Sequence, residues 1–155
     1  MAKTENEALI RSFYDSFARG DAGGMNACYA PGIVFSDPVF GSLEGDRARG
    51  MWTMLCRGLK DFNLTYEVGD VDDTSGHAHW VATYTYSATG RRVRNVIDAT
   101  FLFASGLIAR HDDRFDLWKW SSQALGAPGM LLGWTPFFKK KVSSMATSRL
   151  DAFLR

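Results

Sequence analysis

The sequence has no long unbroken apolar run and no marked excess of charge of one sign. Its longest apolar stretch, residues 125–138, is interrupted by Gly126, Pro128, Gly129 and Gly133 and is too short to span a bilayer. The formal net charge is +1, from 18 Lys and Arg residues against 17 Asp and Glu residues. Phosphate binding requires a concentrated basic surface, so we expect neither nucleic acid nor membrane among the partners.

Cysteine is scarce, and the spacing of Cys28 and Cys56 matches no metal or redox motif. Both cysteines lie in apolar helical patterns, which predicts free thiols in a reducing compartment. The amino-terminal residues are polar and enter a helical pattern early, unlike a signal peptide. These features predict a cytoplasmic protein.

What the sequence does contain is apolar and aromatic residues sufficient for one globular domain. Of its 155 residues 46% are apolar and 14% aromatic, enough to fill a core and also to line a cavity. Helical spacing predicts an amphipathic helix that ends at Gly20, a short helix capped by Asp21 and running through Tyr29, and a third helix over about 46–59.

From residue 62 onward the apolar period changes from helical spacing to two, which predicts strands. The alternating segments cover 62–68, 79–86, 92–103 and 107–115. Three helices followed by long antiparallel strands predict an α+β fold rather than a parallel βαβ one. We expect one domain over 1–125 and a helical extension over 126–155.

The carboxy-terminal extension begins with an apolar, glycine-rich segment and continues as a helix. Thr135 and Pro136 are typical of the N-cap and first position of a helix. We favour packing of this helix on its own sheet or on a partner subunit. A hinged lid over a cavity and docking at a membrane surface are the alternatives.

The segment Val34-Phe35-Ser36-Asp37-Pro38-Val39-Phe40 places a carboxylate where a short apolar strand breaks at a proline. Burial among apolar side chains raises the pKa of a carboxyl, so Asp37 is a candidate general base. An aspartate before proline can instead anchor a turn by accepting hydrogen bonds from backbone amides. Both interpretations of Asp37 stay open at the level of sequence.

The order helix, Gly20-Asp21, short helix, Pro31-Gly32, Phe35-x-Asp37-Pro38, helix and strands resembles the nuclear transport factor 2-like superfamily. The late pattern Phe101-x-Phe103-x-x-Gly106-Leu107-Ile108-x-x-His111-x-Asp113 is similar to its SnoaL-like and ketosteroid isomerase-like branch. The resemblance covers about residues 5–125. It implies a cone-shaped roll in which a strongly curved antiparallel sheet packs on three amino-terminal helices around an apolar pocket. It also implies a homodimer formed through the convex face of the sheet.

When the family's functional residues are compared one by one with this sequence, some positions match and others do not. Asp37 matches the general base of the ketosteroid isomerases. These enzymes are a standard example of how a protein tunes the pKa of a carboxyl. Phe13 stands where those enzymes have a hydrogen-bonding tyrosine, and Tyr14 is its neighbour. Their second acid corresponds to Asp98 or Ala99. If Phe101 and Phe103 face the pocket, then Ala99 joins them and Asp98 points away, which is the register we favour.

Asp113 resembles the last-strand aspartate of limonene-type epoxide hydrolases, but Arg92-x-Arg94 and Asn95-x-Ile97 stand where their Arg-x-Asp pair should be. His111 lies two residues before Asp113 on the same strand face. Its role stays open: it is a proton shuttle, a hydrogen-bond partner of the carboxylate, or a buried histidine without chemistry. His77 and His79 lack a spaced third ligand, so we expect no metal site. Steroid isomerisation and epoxide hydrolysis by the full family machinery are therefore not expected.

The sequence thus predicts a SnoaL-like enzyme that performs isomerisation, aldol cyclisation or hydration on a small apolar carbonyl compound without a cofactor. The alternative is a non-catalytic ligand-binding or dimerisation module of the same fold. The predicted catalytic residues are Asp37, Asp113 and His111. The predicted substrate-binding residues are Tyr14, Phe17, Phe40, Trp52, Cys56, Asn95, Phe101 and Phe115.

Overall fold

The computed structural model describes residues 2–155, which form six helices and six strands. The helices are α1 (Ala2–Ala18), α2 (Ala22–Asn26), α3 (Asp46–Arg57), α4 (Leu117–Leu125), α5 (Ala127–Leu132) and α6 (Pro136–Leu154). The strands are β1 (Tyr29–Asp37), β2 (Gly41–Glu44), β3 (Asn63–Val71), β4 (Ser75–Tyr86), β5 (Arg91–Ala104) and β6 (Leu107–Arg114). The predicted α+β class with three amino-terminal helices is confirmed.

The six strands form one sheet in the order β2-β1-β6-β5-β4-β3. The sheet is mostly antiparallel, as predicted, and only β1 and β6 run parallel to each other. The parallel register aligns Ser36 with Asp112. The next residues along these two strands, Asp37 and Asp113, consequently come to the same end of the sheet.

The predicted second helix is too long. Asp21 caps it by accepting a hydrogen bond from the Gly24 amide, as expected, but the helix ends at Asn26 and Tyr29 begins β1. The hairpin partner β2 was not predicted. It follows a tight turn that ends at Gly41, whose φ of +69° lies in the left-handed region that favours glycine.

The register favoured for β5 is the one observed. Asn95, Ile97, Ala99 and Phe101 are all buried. Asp98 faces outward on the opposite side of the strand, where its carboxylate lies 2.8 Å from Nδ1 of His79. Strand alternation fixes this pattern, because a shift of one residue would exchange the buried and exposed sets.

Three helices, α4, α5 and α6, follow the last strand, and α6 is the predicted extra helix. The last of them, α6, packs on α3. Leu150 on α6 is fully buried and belongs to the main hydrophobic core, and Arg47 on α3 pairs with Asp151 at 2.8 Å. The segment 126–155 therefore packs on residues 1–125 of its own chain.

Candidate functional site

A cavity of about 350 Å³ opens between the inner face of the sheet, α3 and the carboxy-terminal helices. This volume lies at the lower end of the range for small-molecule sites. Its walls are mainly apolar and aromatic, with Phe62, Trp80, Phe115, Trp120 and Val142 among them. Its charged lining residues are Asp37, Asp113 and Arg149.

Asp37 ends β1, where its side chain both anchors a turn and lines the cavity. Its Oδ1 atom accepts hydrogen bonds from the backbone amides of Val39 at 2.9 Å and Phe40 at 2.6 Å, which anchors the turn into β2. The same side chain lines the cavity. Burial raises the pKa of Asp37 to about 7, and the negative charge of Asp113 adds to the increase, while the Phe40 amide opposes it.

Asp113 is held by a chain of buried side chains that runs back through the core. Its Oδ1 atom lies 2.8 Å from Nε2 of His111, and Nδ1 of His111 lies 2.7 Å from the Tyr29 hydroxyl. The indole N–H of Trp52 donates to that hydroxyl at 2.8 Å, and the indole of Trp80 donates more distantly, at 3.5 Å, to Asp113. All five side chains are buried.

Once Asp113 is taken as the acceptor from a neutral His111, each hydrogen bond of this chain has one direction. Because Tyr29 accepts from Trp52, its own O–H is available for His111 Nδ1, which leaves the proton of a neutral imidazole on Nε2. That Nε2–H then donates to Asp113. Within residues 2–155 the second carboxylate oxygen of Asp113, Oδ2, accepts no hydrogen bond from protein, and it is the atom available to a bound molecule.

Tyr84 on β4 provides a hydroxyl on another wall of the cavity. Its oxygen accepts a hydrogen bond from the indole N–H of Trp120 at 2.8 Å, so the hydroxyl proton is free to be donated. Burial raises the pKa of Tyr84 to about 12, which keeps this hydroxyl protonated at neutral pH. Asn95 adds a buried amide to the same lining.

The cavity includes seven of the residues that the sequence assigned to catalysis or substrate binding. They are Asp37, Asp113, Phe17, Phe40, Trp52, Asn95 and Phe115. Four others lie outside its lining. His111, Tyr14 and Phe101 are fully buried or nearly so in the core, and the Cys56 thiol packs 3.7 Å from the Met25 sulfur.

The residues that lie outside the cavity lining pack in the core behind it. The Phe101 ring packs on the His111 ring with centroids 4.5 Å apart, and Tyr14 stacks on Tyr66 at 5.2 Å. Tyr14 faces the sheet because its position on α1 is part of the helix stripe that fills the core. His111 therefore contacts Asp113 but does not itself line the cavity.

Sequence patterns predict no functional role for Tyr29 or Arg149, whereas Tyr84 and Trp120 belong to a set of aromatic residues expected in the pocket, at an interface or in the core. Tyr29 was assigned to the end of a helix, whereas a strand beginning there carries its hydroxyl to His111. The inward position of Tyr84 follows from the alternation of side chains along β4, which can be read from the sequence. Trp120 and Arg149 reach the cavity from helices whose packing on the sheet has no local sequence signature.

Among residues 2–155, no group of three or more His, Cys, Asp or Glu side chains is placed to hold a metal ion. No helix in the same range is long and apolar enough to cross a membrane.

The model of the SnoaL-like domain family matches residues 10–111, about two thirds of the sequence. The protein belongs to the SnoaL-like family. The match spans α1 to most of β6, including Asp37 and His111. No functionally curated protein matches this chain in sequence.

Solved structures similar to this SnoaL-like protein carry several different functional names. A candidate polyketide cyclase from Xanthomonas campestris pv. campestris is 20% identical with a TM-score of 0.70, covering 80% of this chain and 99% of its own. A ketosteroid isomerase-like protein from Erwinia carotovora atroseptica is 21% identical with a TM-score of 0.61, covering 70% and 92%. A limonene epoxide hydrolase-like enzyme from M. tuberculosis is 17% identical with a TM-score of 0.63, covering 86% and 99%. At these identities the likeness establishes the nuclear transport factor 2-like fold alone.

Proposed function

We propose that this protein is an enzyme that moves a proton next to the carbonyl group of a small apolar compound. The observation that carries the proposal is that two carboxylates, Asp37 and Asp113, line one apolar cavity and interact there. Isomerisation, aldol cyclisation and hydration all require such a transfer. The chemistry needs positioned acid and base groups and no organic cofactor.

Asp37 is the proposed general base. A general base works best when its pKa lies near the operating pH, and burial together with the charge of Asp113 raises the pKa of Asp37 to about 7. The two backbone amides on Oδ1 fix the carboxylate in place, so that its other oxygen is directed by the turn geometry. A side chain held in this way loses little conformational freedom on reaction.

Asp113 and Tyr84 are the proposed partners of Asp37. Oδ2 of Asp113 accepts or returns a proton, while His111, Tyr29 and Trp52 hold the carboxylate in orientation. The Tyr84 hydroxyl donates to a carbonyl oxygen as negative charge develops on it. Such a donor in an apolar cavity stabilises an enolate more than it would in water.

The ligand is proposed to be small and largely apolar, because the walls are aromatic and aliphatic and the cavity holds about 350 Å³. Some similar structures are named as a candidate polyketide cyclase and as an epoxide hydrolase-like enzyme. A carbonyl compound with acidic α-hydrogens suits the residues present here. On β5, Arg92-x-Arg94 and Asn95-x-Ile97 stand in place of the Arg-x-Asp pair on which limonene-type epoxide opening depends.

Proton abstraction can be tested without knowing the natural product. Purified protein is incubated in D₂O with a panel of small apolar ketones, β-diketones and β-keto esters, and deuterium gain at the α-carbon is followed by NMR. We expect enzyme-dependent exchange for part of the panel and at least a 100-fold loss in D37N. D98N is the matched control, because it removes a carboxylate from the outer face of the sheet, and we expect it to exchange at the wild-type rate.

The alternative function is a module that binds a small ligand without chemistry, and one observation favours it. Two amide hydrogen bonds to Asp37 give this residue a structural role in the β1–β2 turn whether or not it reacts. A panel member that binds, as shown by calorimetry, yet never exchanges its α-hydrogens would support this alternative and contradict the enzyme.

A homodimer and a cytoplasmic location complete the proposal. Val96 and Leu102 on β5 are apolar side chains exposed on the outer face of the sheet, where a second copy would cover them. Light scattering at micromolar concentration is expected to give twice the 17.3 kDa chain mass. A strict monomer would contradict the dimer and leave the chemistry of the cavity untouched.

A further inference from the structure

A cluster of large apolar side chains is exposed to solvent at the turn between α5 and α6. This apolar tip consists of Met130, Leu131, Leu132, Trp134 and Phe137, whose exposed fractions run from 51% for Leu132 to 78% for Phe137. Trp118 on α4 lies beside it, because its indole N–H donates to the Met130 carbonyl at 3.0 Å. Single exposed apolar residues are common, but a contiguous group of this size marks an interaction surface.

The apolar tip has a defined structure. Gly126 joins α4 to α5 with φ +71° and ψ −137°, a conformation available in practice to glycine alone. Gly129 packs so closely that an added Cβ would lie 2.0 Å from the Ser121 carbonyl oxygen. The Trp134 indole donates to the Leu131 carbonyl at 3.0 Å, and Thr135 caps α6. The backbone therefore holds these apolar side chains outward.

The charge around the apolar tip is mainly positive: the groove beside Trp118 and Met130 has Arg91, Arg94 and Lys119 against one acid, Asp116. Residues 117–150 contain five basic residues, Lys119, Lys139, Lys140, Lys141 and Arg149, and no aspartate or glutamate. The whole chain carries a net charge of only +1, so its acidic groups lie elsewhere. Lys139, Lys140 and Lys141 are exposed. Lys140 and Lys141 share the α6 face of Phe137, three and four residues along the helix.

We propose that the apolar tip and the three lysines of α6 form a docking site for the surface of an anionic lipid membrane. Tryptophan, phenylalanine and leucine side chains insert to the level of the headgroups, and neighbouring lysines are attracted to anionic lipids. The sequence predicted no membrane partner because its balanced total charge hides this local excess. The attachment is peripheral, since no helix within residues 2–155 can span a bilayer.

A second copy of the chain fits this surface less well than a membrane does. In a two-fold dimer the same patch faces itself, so three lysines of one copy would approach three lysines of the other. Like charges in apposition oppose association. An anionic bilayer instead satisfies both features of the surface, the apolar side chains and the positive charge.

The proposed docking site lies close to the cavity along α6, so docking would bring the cavity to the membrane surface. Phe137, Lys141 and Met145 follow one another at four-residue spacing along α6, and Met145 is half exposed while also lining the cavity. Val142 and Met145 of the cavity lining lie five and eight residues beyond Phe137, about 8 Å and about 12 Å along the helix. Docking therefore places the cavity near the headgroup region, where apolar compounds partition. The inference stands whether or not Asp37 and Asp113 perform chemistry.

The test is co-sedimentation of the purified protein with vesicles of phosphatidylcholine alone and with 30% phosphatidylglycerol. We expect binding to the anionic vesicles, weaker binding to the neutral ones, and loss of binding as salt is raised. K139E/K140E/K141E is expected to weaken binding by about 100-fold or more. L131S/W134S/F137S is expected to weaken it as well, because it removes the inserted side chains. Circular dichroism confirms that each variant remains folded.

The matched control is K3E/R11E/K60E, which changes the net charge equally through exposed residues on α1 and after α3. It is expected to bind as the wild type does. Absence of wild-type binding to anionic vesicles, or equal loss in the control variant, would overturn the proposal. Lipid-free self-association that L131S/W134S/F137S abolishes would assign the surface to a second copy and would overturn it too.

Discussion

Asp37 and Asp113 line one cavity from neighbouring parallel strands, and the charge of Asp113 contributes to raising the pKa of Asp37 to about 7. The parallel pairing of β1 and β6 produces this relationship, since it aligns Ser36 with Asp112 immediately before the two acids. Burial is the larger cause of the shift and the neighbouring charge the smaller. Each cause can be altered separately by mutation.

The first prediction concerns the pH dependence of stability. A carboxyl whose pKa is higher in the folded state than the ordinary 3.8 stabilises the fold at low pH, and this contribution is lost as pH rises toward 7. Asn at position 37 keeps an oxygen for the two amides but cannot ionise. The stability of D37N relative to wild type is therefore expected to increase between pH 5 and pH 8, by at most about 2–3 kcal/mol. Urea denaturation at both pH values measures it, with D73N, at an exposed carboxylate, as the control; a constant difference between D37N and wild type would contradict it.

The second prediction concerns the pH dependence of α-proton exchange. With Asp37 as base, the exchange rate is expected to rise with pH and to reach a plateau above about 7. Removing the charge of Asp113 lowers the pKa of Asp37, so residual exchange in D113N is expected to reach its plateau at lower pH. An unchanged midpoint in D113N would mean that the two carboxylates do not interact.

The third prediction tests the side chains that hold Asp113. Phenylalanine in place of Tyr29 leaves the Trp52 indole without its acceptor and His111 Nδ1 without its donor, both buried. Y29F is expected to lower the free energy of unfolding by about 1–3 kcal/mol. Y66F removes an exposed hydroxyl that donates to Asp15 at 2.7 Å and is expected to cost less than about 1 kcal/mol. Equal losses of unfolding free energy in Y29F and Y66F would contradict a specific role of Tyr29 in holding Asp113.

The fourth prediction concerns Tyr84 as the donor to a carbonyl oxygen. Y84F keeps the ring that shapes the cavity but removes its free O–H, and it also leaves the Trp120 indole without an acceptor. The rate of exchange is expected to fall by about 10-fold to 100-fold, with a smaller effect on ligand affinity. Y86F changes another cavity-lining tyrosine and is the control. Equal kinetic losses in both variants would refute a specific role for Tyr84.

The fifth prediction asks whether residues 126–155 unfold with the rest of the chain. Leu150 is fully buried in the main core, so L150A is expected to cost about 2–5 kcal/mol. The transition is expected to stay single. L154A, at a side chain that is 42% exposed, is expected to cost less than about 1 kcal/mol. A second, earlier transition in either variant would identify α6 as an independent unit.

Local patterns in the sequence predict much of this fold and half of the site. The alternation of β5 is sufficient to place Asn95 and Ala99 inward and Asp98 outward, because the period of a strand is fixed. Asp37 stands out because a carboxylate follows an apolar strand at a proline. The parallel pairing of β1 with β6 has no such signal, since it joins segments about 76 residues apart whose intervening chain forms the other strands. Tyr29 was missed for the same reason.

The structure of α6 has a consequence for how proteins of this kind diverge. The two acids stand on strands, whereas Val142, Met145, Ala146 and Arg149 close the cavity from the carboxy-terminal helix. Exchanges at these four positions alter the shape and charge of the space offered to a ligand without moving either carboxylate. Lineages that keep the same acid pair can therefore acquire new ligand preferences through changes in one terminal helix.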